Sequence, residues 1–504
     1  MVPPVMVQWE TCRIGCLPLS QTCIPRDQAP RKVAQNRMTI TTRPRTISEL
    51  RESGYRLLSV KEELRKNLIQ KIRRGEELFP GIIGYEETVI PQIENAILSG
   101  QDIIFLGERG QAKTRMARNL VNLLDDVVPV IAGCEINDNP YEPVCKVCRD
   151  KVEERGDDVE IDWLSRDRRY GEKLATPDIT ISDLVGEVDP VRVAEGRYLS
   201  DELTIHYGMI PRTNRGIFCI NELPDLAERI QVGLLNIMEE RDVQIRGYKI
   251  RLPLDVYVVA SANPEDYTNR GRIITPLKDR VGSEIRTHYP RTVEHEIQIM
   301  ESESNHFITE GLDIIFPQFM KEVIAEITQL ARRSNDISQR SGVSVRVSVS
   351  NFENVLSSAS RRALRLKERY VAPRVSDLSA IFASTCGKIE LDTVGEIKED
   401  RIVQKLMNGA IVSVFGDYFE AREFEQLVAG FERGLSVQVG DDMPSMEYVN
   451  QLSKVGGLSK AIDKLNGRGS PASIASSIEF ILEGLHLNRR LNKDEVSGKI
   501  RYRR

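Results

Sequence analysis

Long apolar runs and cysteine are both scarce in this chain of 504 residues. The longest apolar runs are about five residues, for example 256–260, whereas a membrane-spanning helix requires roughly 20. We therefore expect no membrane span. Eight cysteines in a chain of this length exclude a disulfide-rich scaffold and favour a reducing, cytoplasmic location.

An excess of charge of either sign is also missing. Lysine and arginine number 70 against 75 aspartates and glutamates, which gives a formal net charge of −5. This balance excludes a polycation that binds nucleic acid by charge alone, so we do not expect nucleic acid as a partner. Hydrophobic residues at 40% and charged residues at 29% are typical of a folded chain, and the length suggests two to four domains.

The first 37 residues differ in composition from the rest of the chain. They hold three of the eight cysteines and lack the apolar segment of a secretory signal. We interpret residues 1–37 as a disordered leader, upstream of an alternative start at Met38. Residues 38–79 are charged, with apolar residues at helical spacing, and predict an N-terminal helical segment.

Strands alternate with helices between residues 80 and 290. The stretches IIFL, RGIFCINE and VYVVASANP read as buried strands, with helical patterns between them. This alternation predicts an α/β fold with a largely parallel sheet that helices cover on both faces. Residues 131–175 are polar and partly acidic, and we interpret them as a surface insertion. The stretch VQIRGYKIRL predicts a hairpin.

The pattern changes to helix after Pro290. Residues 291–394 predict a helical lid, and residues 395–504 predict a helical C-terminal region interrupted by glycine- and proline-containing stretches. Seven basic residues lie between 489 and 504. They indicate a solvated charged end, with an acidic partner surface or nucleic acid as the alternative.

A phosphate-binding loop is indicated directly after the first strand. The sequence GERGQAKT follows IIFL and precedes a helix, which is the context that a P-loop requires. The residues expected to bind ATP are Gly107, Gly110, Gln111, Ala112, Lys113 and Thr114. Backbone N–H groups would cradle the phosphates, Lys113 would supply a point charge and the Thr114 hydroxyl would reach Mg²⁺. The alternative is a chance glycine-containing turn.

A second apolar strand ends in a polar pair, Asn221 and Glu222. In P-loop ATPases the corresponding strand lies beside the P-loop strand. Its first polar residue holds Mg²⁺ through water, and its second polarises the attacking water. We therefore expect Glu222 to be the catalytic base and Asn221 to contact the metal. Because Asn221 carries no charge, it argues against fast ATP turnover. The alternative interpretation of the Asn221–Glu222 pair is an ordinary strand end.

Three further residues are candidates for completing the site. Asn263 ends the strand VVASAN and could orient the attacking water, although Asn-Pro is also a common turn. Arg280 lies where a subunit could insert a guanidinium into its neighbour's site, with Arg270 and Arg272 as competitors and a surface ion pair as the alternative. Arg346 could contact phosphate from the lid, or be an ordinary arginine at a helix start.

In this order and spacing, the four motifs resemble those of the AAA+ ATPases, in particular the magnesium chelatase I-subunit and its MoxR-like relatives. GERGQAKT resembles that family's P-loop, in which alanine before lysine is common, while ANPED, LKDR and SVRVS resemble its sensor-1, arginine-finger and sensor-2 segments. The resemblance covers roughly residues 80–385. It implies a P-loop core with an all-α lid, ATP and Mg²⁺, and a homo-hexameric ring in which Arg280 acts in trans. Asn221 departs from the family's usual aspartate.

The sequence does not identify the protein on which such an ATPase would act. No Asp-x-Ser-x-Ser metal-adhesion motif occurs, so the chain does not resemble the family's partner subunit that carries one. We expect an unidentified protein partner, and a metal-adhesion-domain subunit is one candidate. The chain would then be a ring motor that remodels this partner or assists metal insertion. The alternative is a regulatory or scaffolding protein that hydrolyses ATP poorly. The GAFTGA loop of sigma-54 activators is absent from the sequence.

Three cysteines lie in the predicted insertion. Cys134 precedes Cys145 and Cys148, whose C-x₂-C spacing is typical of zinc ligands. A fourth ligand is missing locally, because all five histidines are distant in sequence. The segment therefore indicates either a zinc site or ordinary reduced cysteines that fold a loop.

Overall fold

The computed structural model describes residues 43–504 apart from 196–201, 240–241, 245–250, 265–270, 306–310, 339–340, 392–398, 453–456 and 497–498. The expected leader, 1–37, lies outside the described residues. No helix in the described part of the chain has both the length and the apolar character that a membrane crossing needs.

Between residue 43 and the central sheet the chain forms three helices: Ile47–Glu52, Val60–Arg74 and Ile90–Leu98. The second begins with a capping box, in which the side chains of Ser59 and Glu62 each accept a hydrogen bond from the other's backbone N–H. It ends at Gly75, whose φ of 64° favours glycine. Its apolar face, including Leu64 and Leu68, is buried in the same hydrophobic cluster as the first strand of the sheet, as the helical spacing predicts.

The described residues of the α/β part form eleven strands: β1 Ile103–Leu106, β2 Val127–Ile131, β3 Ile161–Ser165, β4 Tyr170–Leu174, β5 Gly186–Val188, β6 Ile205–Tyr207, β7 Gly216–Asn221, β8 Asp242–Gln244, β9 Arg251–Pro253, β10 Val256–Ala262 and β11 Ser283–Arg286. Five of them form a parallel sheet in the order β11–β1–β10–β7–β4. Leu106 pairs with Ala262, and Ala260 pairs with Ile220. The carboxyl ends of β1, β10 and β7 therefore meet at one edge of the sheet.

The helices of this part are Lys113–Asn119, Lys146–Arg155, Ile181–Val185, Pro190–Ala194, Met209–Arg212, Glu228–Glu239 and Thr275–Arg280. Successive residues of a strand point to opposite sides of the sheet, and helices cover both of these faces. Ile217 and Cys219 of β7 pack in one hydrophobic cluster, and Phe218 and Ile220 pack in another. Both faces are apolar, as a buried parallel sheet requires. The predicted α/β core is confirmed.

The predicted surface insertion, 131–175, also contributes to the central sheet. Tyr170–Leu174, near the end of this segment, form β4, which pairs in parallel with β7. Interpreting these residues as a surface segment was wrong, because YGEKL lacks the apolar run of a buried strand. An edge strand tolerates such polarity because one side of it remains open. The rest of the segment contains β3, which pairs with β2, and the helix Lys146–Arg155.

The described residues of the α/β part also form two small antiparallel strand pairs. β8 pairs with β9 in antiparallel register, which confirms the predicted hairpin, although its tip lies outside the described residues. β5 pairs with β6 in the same way.

The lid contains the helices Val293–Glu303, Gln318–Arg333, Arg346–Leu366 and Ile381–Thr385, with the short parallel strands β12 Asp313–Ile314 and β13 Tyr370–Val371. The predicted helical character is confirmed. A buried ion pair joins the first two helices, because Arg332 donates to the Glu296 carboxylate at 2.7 and 3.1 Å.

The C-terminal region contains the helices Glu399–Tyr418, Glu425–Glu432, Ser445–Leu452, Leu458–Lys464 and Pro471–Leu487, and the strands β14 Val437–Val439, β15 Asn492–Val496 and β16 Lys499–Arg503. The strands form an antiparallel sheet that the helical prediction missed. The basic residues expected to form a solvated end are mostly exposed (Arg489, Arg490, Lys493, Arg503 and Arg504), although the segment forms β15 and β16. Tyr502 of β16 is buried, because alternate residues of a strand face the core, and Lys493 of β15 binds Glu483 at 2.9 Å. Phe319 of the lid stacks on Phe480, so the lid and this region share one core.

Candidate active site

The loop 107–112 joins β1 to the helix Lys113–Asn119, as the P-loop prediction requires. Glycine is needed at two of its positions for steric reasons. A Cβ on Gly107 would collide with the Thr287 hydroxyl, and one on Gly110 would collide with the Ser344 hydroxyl. Gly110 also has a φ of 76°, which favours glycine. Residues after β11 and before the lid helix Arg346–Leu366 therefore shape the loop.

Ala112 adopts a left-handed backbone conformation directly before Lys113, with φ 56° and ψ 14°. A residue with a Cβ is disfavoured there by roughly 1 kcal/mol. The chain turns at this residue from the loop into the helix. Such local strain is typical of functional loops, where the surrounding structure holds the backbone in place.

Three oxygen atoms hold the Lys113 side chain, which is nearly buried. Its Nζ donates to the Gly107 carbonyl, to the Glu108 carbonyl at 2.7 Å and to Asn263 Oδ1 at 2.8 Å. The structure thus brings Lys113 and Asn263 into direct contact across the adjacent strands β1 and β10. This places the predicted water-orienting residue at the P-loop lysine.

Asn221 and Thr114 also meet at this edge of the sheet. Thr114 Oγ1 lies 3.4 Å from Asn221 Oδ1, and the Ser261 hydroxyl donates to the same Oδ1 at 3.1 Å. Hydroxyl and amide oxygens are ligands of the kind that Mg²⁺ prefers, directly or through water. The two residues predicted for the metal therefore lie together.

A carboxylate that the sequence analysis missed lies beside Asn221. Asn221 Nδ2 donates to Glu172 Oε1 at 2.6 Å, and Arg118 binds the same carboxylate through hydrogen bonds of 2.7 and 2.8 Å. The hydrogen bond from Arg118 lowers the pKa of Glu172 below its ordinary value. The negative charge that Asn221 lacks is therefore one hydrogen bond away, on β4. The sequence analysis missed it because β4 was assigned to the surface insertion.

Glu222 follows β7 in a left-handed conformation, with φ 57° and ψ 46°. Its backbone N–H donates to the Ser261 hydroxyl at 3.2 Å. Its side chain is partly exposed, next to Asn221 at the edge of the sheet. A non-glycine residue in this conformation at a strand end is typical of a functional position.

A cavity of ≈ 460 Å³ opens beside the P-loop. Gly110 and Ala112 line it from the loop, Ile82 lines it from the segment before the sheet, and Val345 and Arg346 line it from the lid. Its volume and mixed apolar and polar lining suit a nucleotide. The structure thus places Arg346 beside the P-loop, at the first residue of its helix.

Gln111 braces the loop from within. Its Oε1 accepts hydrogen bonds from the Glu108 N–H at 3.0 Å and from the Thr287 hydroxyl at 2.6 Å. The Tyr85 hydroxyl lies 3.1 Å from the Gln111 carbonyl oxygen, and burial raises the pKa of Tyr85 to about 12. Gln111 was predicted to bind ATP as part of a loop whose backbone N–H groups cradle the phosphates; its side chain supports that loop, and its contact with ATP stays a prediction.

Among the described contacts, Arg280 binds residues outside the predicted ATP site. It pairs with Glu239 and donates to the Pro276 carbonyl at 3.0 Å. It lines neither of the two described cavities that contain P-loop residues. Of its competitors, Arg272 pairs with Glu228 at 3.3 Å, and Arg270 lies outside the described residues.

The three cysteines of the predicted zinc site come together where the loop after β2 meets the helix Lys146–Arg155, which contains Cys148. Asp138 joins them, and the ligand atoms of Cys134, Asp138, Cys145 and Cys148 all lie within 4.8 Å of one another. The sequence analysis missed Asp138 because it considered only histidines for the fourth ligand. An aspartate four residues after Cys134 was the available signal.

Comparison with known proteins identifies related ATPases. A family model described as the Sigma-54 interaction domain matches residues 195–281. Magnesium-chelatase subunit ChlI-2 of Arabidopsis thaliana chloroplasts is 25% identical over 230 residues, which cover 44% of this chain and 51% of that protein. The chloroplastic subunit ChlI of Oryza sativa subsp. indica is 28% identical over 235 residues, which cover 44% and 52%. The chain thus spans about half the length of the curated relatives it matches.

Among solved structures, a complex between subunits BchI and BchD of magnesium chelatase aligns with 66% of this chain and 98% of its own chain, at 17% identity and a TM-score of 0.33. The curated relatives confirm the predicted resemblance to AAA+ ATPases of the magnesium chelatase I-subunit type, at modest identity. The predicted fold class agrees with the observed five-stranded parallel sheet and helical lid.

Proposed function

We propose that the chain is a magnesium-dependent ATPase that works as a ring motor and remodels a protein partner or assists metal insertion. The observation that supports this most is the meeting of Lys113, Thr114, Asn221 and Asn263 at the carboxyl ends of three adjacent parallel strands. Ligands bind at this edge in open α/β sheets. The four residues combine a cation for phosphate with oxygen atoms for a metal.

ATP would lie across the P-loop and the cavity next to it. Its phosphates would contact the backbone of 107–112 and the Lys113 ammonium group, which would exchange its loop carbonyl partners for phosphate oxygens. The adenine base of ATP would occupy the apolar part of the cavity near Ile82 and Val345. Arg346 would bind phosphate from the lid, so that the lid responds to the nucleotide.

The donor set at Thr114, Asn221 and Glu172 fits Mg²⁺, because all three residues offer oxygen atoms. When bound, Mg²⁺ neutralises charge on the transferring phosphoryl group. Asn221 accepts through Oδ1 on the Thr114 side and donates through Nδ2 to Glu172. Glu172 is thus a positioning residue that keeps the amide oxygen facing the metal and supplies the charge that Asn221 lacks.

Hydrolysis requires a base, a water-orienting group and a cation. Glu222 would take the proton of the attacking water, and Asn263 would orient that water from its place beside Lys113. Arg280 would stabilise charge on the transferring phosphoryl group of a neighbouring subunit. Its separation from the P-loop within the chain is what a residue acting in trans requires.

The proposed assembly is a homo-hexameric ring in the cytoplasm, of the MoxR-like kind. The lid would move against the core during hydrolysis, and the β8–β9 hairpin would pass this motion to the partner. A subunit with a metal-adhesion domain is one candidate for that partner. The particle mass in ATP tests the ring, and affinity purification with the Glu222→Gln chain in ATP tests the partner.

A steady-state ATPase assay tests the proposed activity. We expect Glu222→Gln to lower the rate about a hundredfold or more, because the reaction loses its general base. Glu228→Gln is the matched control, since it removes an exposed carboxylate six residues away, and it should leave the rate unchanged. Near-background rates for both the wild type and Glu222→Gln would contradict the motor.

The neutral Asn221 supports a second candidate, a regulatory or scaffolding protein that binds ATP and hydrolyses it poorly. That candidate predicts tight nucleotide binding together with the near-background rates just described. Equilibrium binding of a fluorescent ATP analogue, measured beside the ATPase rate, separates it from a chain that does not bind nucleotide.

A further inference from the structure

We infer that Cys134, Asp138, Cys145 and Cys148 bind one zinc ion, which closes the loop between β2 and the helix Lys146–Arg155. This site is separate from the P-loop and does not depend on the proposed ATPase activity.

The spacing of the four side chains is that of a mononuclear site. Their ligand atoms all lie within 4.8 Å of one another, and Cys134 Sγ lies 4.0 Å from Cys145 Sγ. Tetrahedral zinc with bonds of about 2.3 Å to sulfur and about 2.0 Å to oxygen places its ligands about 3.5 to 3.8 Å apart. An iron–sulfur cluster holds its ligands around several metal atoms and needs wider spacing.

Asp138 carries the strongest sign of a missing cation. The residue is fully buried, its Oδ2 accepts a hydrogen bond from the Cys145 N–H at 2.9 Å, and its Oδ1 has no hydrogen-bond partner. A buried carboxylate oxygen without a donor is costly, and it is stable beside a metal ion. The hydrogen bond to Oδ2 holds the carboxylate in place, and Oδ1 is the oxygen that would bind the metal.

Backbone N–H groups support the sulfur atoms. The Asp138 N–H donates to Cys134 Sγ at 3.3 Å, and the Cys148 N–H donates to Cys145 Sγ at 3.4 Å. Cys145 is the N-cap of the ten-residue helix Lys146–Arg155, a position that favours a thiolate. Such outer contacts orient metal ligands and fix their charge.

The metal would stabilise a junction between the insertion and the rest of the α/β part. Next to the cluster, the Ile136 carbonyl accepts a hydrogen bond of 3.1 Å from Nδ2 of Asn214, a residue that lies just before β7. On its other side, the Lys146 N–H and the Arg149 guanidinium bind Glu202 at 2.9 and 2.6 Å. Zinc would therefore hold a loop that contacts two distant parts of the chain.

Metal analysis of the native, full-length protein tests the inference. We expect about one zinc per chain in the wild type and in the control Cys219→Ser, which removes a buried cysteine outside the cluster. Asp138→Asn and Cys148→Ser should each lower zinc affinity at least about tenfold. Less than about a tenth of an equivalent in the wild type, even after incubation with zinc, would overturn the inference.

Two further measurements do not depend on how well the variants fold. Wild type stripped of zinc and loaded with Co²⁺ should show thiolate-to-cobalt charge-transfer absorption and the visible bands of a tetrahedral site. Removing zinc from the wild type should lower its melting temperature, and adding zinc should restore it. Bound iron with sulfide, a Cys134–Cys145 disulfide in freshly purified protein, or full zinc content in both cluster variants would each contradict the site.

Discussion

Asn221 Nδ2 donates a 2.6 Å hydrogen bond to the carboxylate of Glu172, which Arg118 holds from its other side. The pair joins β7 to β4 at the edge of the sheet where the P-loop lies. A neutral residue at the position where related ATPases use aspartate thus has a carboxylate as its direct partner. An aspartate would supply both the negative charge and the oxygen that faces the metal. Here Glu172 on β4 supplies the charge and Asn221 on β7 supplies the oxygen.

Exchanging the amide and the carboxylate tests this division. Glu172→Gln should raise the Mg²⁺ concentration needed for half-maximal ATP binding by about three- to tenfold, because the Asn221 amide loses the partner that orients it. Asn221→Asp should also weaken binding, since two carboxylates would then face each other. The double variant restores one carboxylate and one amide and should recover most of the affinity. A fluorescent ATP analogue titrated with Mg²⁺ measures the effect.

The exposed Glu154→Gln is the control for this exchange, because it removes a carboxylate far from the pair in sequence. An unchanged Mg²⁺ dependence in Glu172→Gln, or a double variant no better than Asn221→Asp, would show that Glu172 has only a structural role.

Arg280 and Lys113 should complement each other between subunits. Arg280→Ala and Lys113→Ala should each abolish ATP hydrolysis when pure, because each site then lacks a cation that the transferring phosphoryl group requires. Mixed rings should regain part of the rate, since some sites combine Lys113 of one chain with Arg280 of the next. Steady-state ATPase rates at several mixing ratios measure this recovery, and no recovery at any ratio would place Arg280 outside the site. Glu239→Gln, which frees Arg280 from its ion pair, should stay active.

Arg346 should contribute to nucleotide affinity from the lid. Arg346→Ala should raise the dissociation constant for ATP about tenfold, because a charge-assisted contact to phosphate is lost. Arg361→Ala, an exposed arginine farther along the same helix, should bind ATP as tightly as the wild type. Equilibrium binding of ATP to the two variants measures this difference. Equal affinities would show that Arg346 is an ordinary arginine at a helix start and does not contact phosphate.

The buried ion pair between Glu63 and Arg169 should dominate the attachment of the N-terminal helices. The two side chains are nearly inaccessible and share hydrogen bonds of 2.7 and 2.6 Å. Glu63→Gln should lower the free energy of unfolding by about 3 kcal/mol or more, because it leaves a buried guanidinium without its counter-charge. Lys66→Ala on the same helix breaks a half-exposed pair with Asp125 and should cost less than about 1 kcal/mol. Chemical denaturation would contradict the prediction if the two losses were equal.

Glu172 should also make stability depend on pH. The hydrogen bond from Arg118 lowers its folded-state pKa below the ordinary 4.5, so the unfolded state binds more protons between the two values. The stabilisation is present above pH 4.5 and is lost as the pH falls through the folded-state pKa. Glu172→Gln should remove this part of the acid dependence, which denaturation midpoints between about pH 3 and pH 6 measure. An identical acid profile in both proteins would contradict it.

The motifs that the sequence revealed are local ones. Gly107 to Thr114 form one continuous loop and helix start, so their spacing alone indicates a phosphate site. Asn221 and Asn263 end apolar strands, and the carboxyl ends of parallel strands meet at one edge. Their proximity to Lys113 therefore follows from the predicted sheet, and the observed contacts agree with it.

Polar strands were harder to predict. β4 is polar and lies at the edge of the five-stranded sheet, and β16 is basic and lies in the centre of the C-terminal sheet. Their composition resembles that of a surface loop and of a charged tail. Pairing with β7 turns the first into part of a sheet, and pairing with β14 and β15 does the same for the second. Since β7 and β14 are not adjacent in sequence to the strands they pair with, the periodicity of β4 and β16 carries no sign of them.

The sequence by itself determined the α/β class, the P-loop and the polar residues at the strand ends, because each depends on local spacing and on the burial of apolar runs. The tertiary structure alone decided that Glu172 is the partner of Asn221, because a buried polar group requires a partner and the packing of β4 against β7 supplies it. It also decided that Asp138 joins the three cysteines, because the spacing of residues along a loop does not fix which side chains converge.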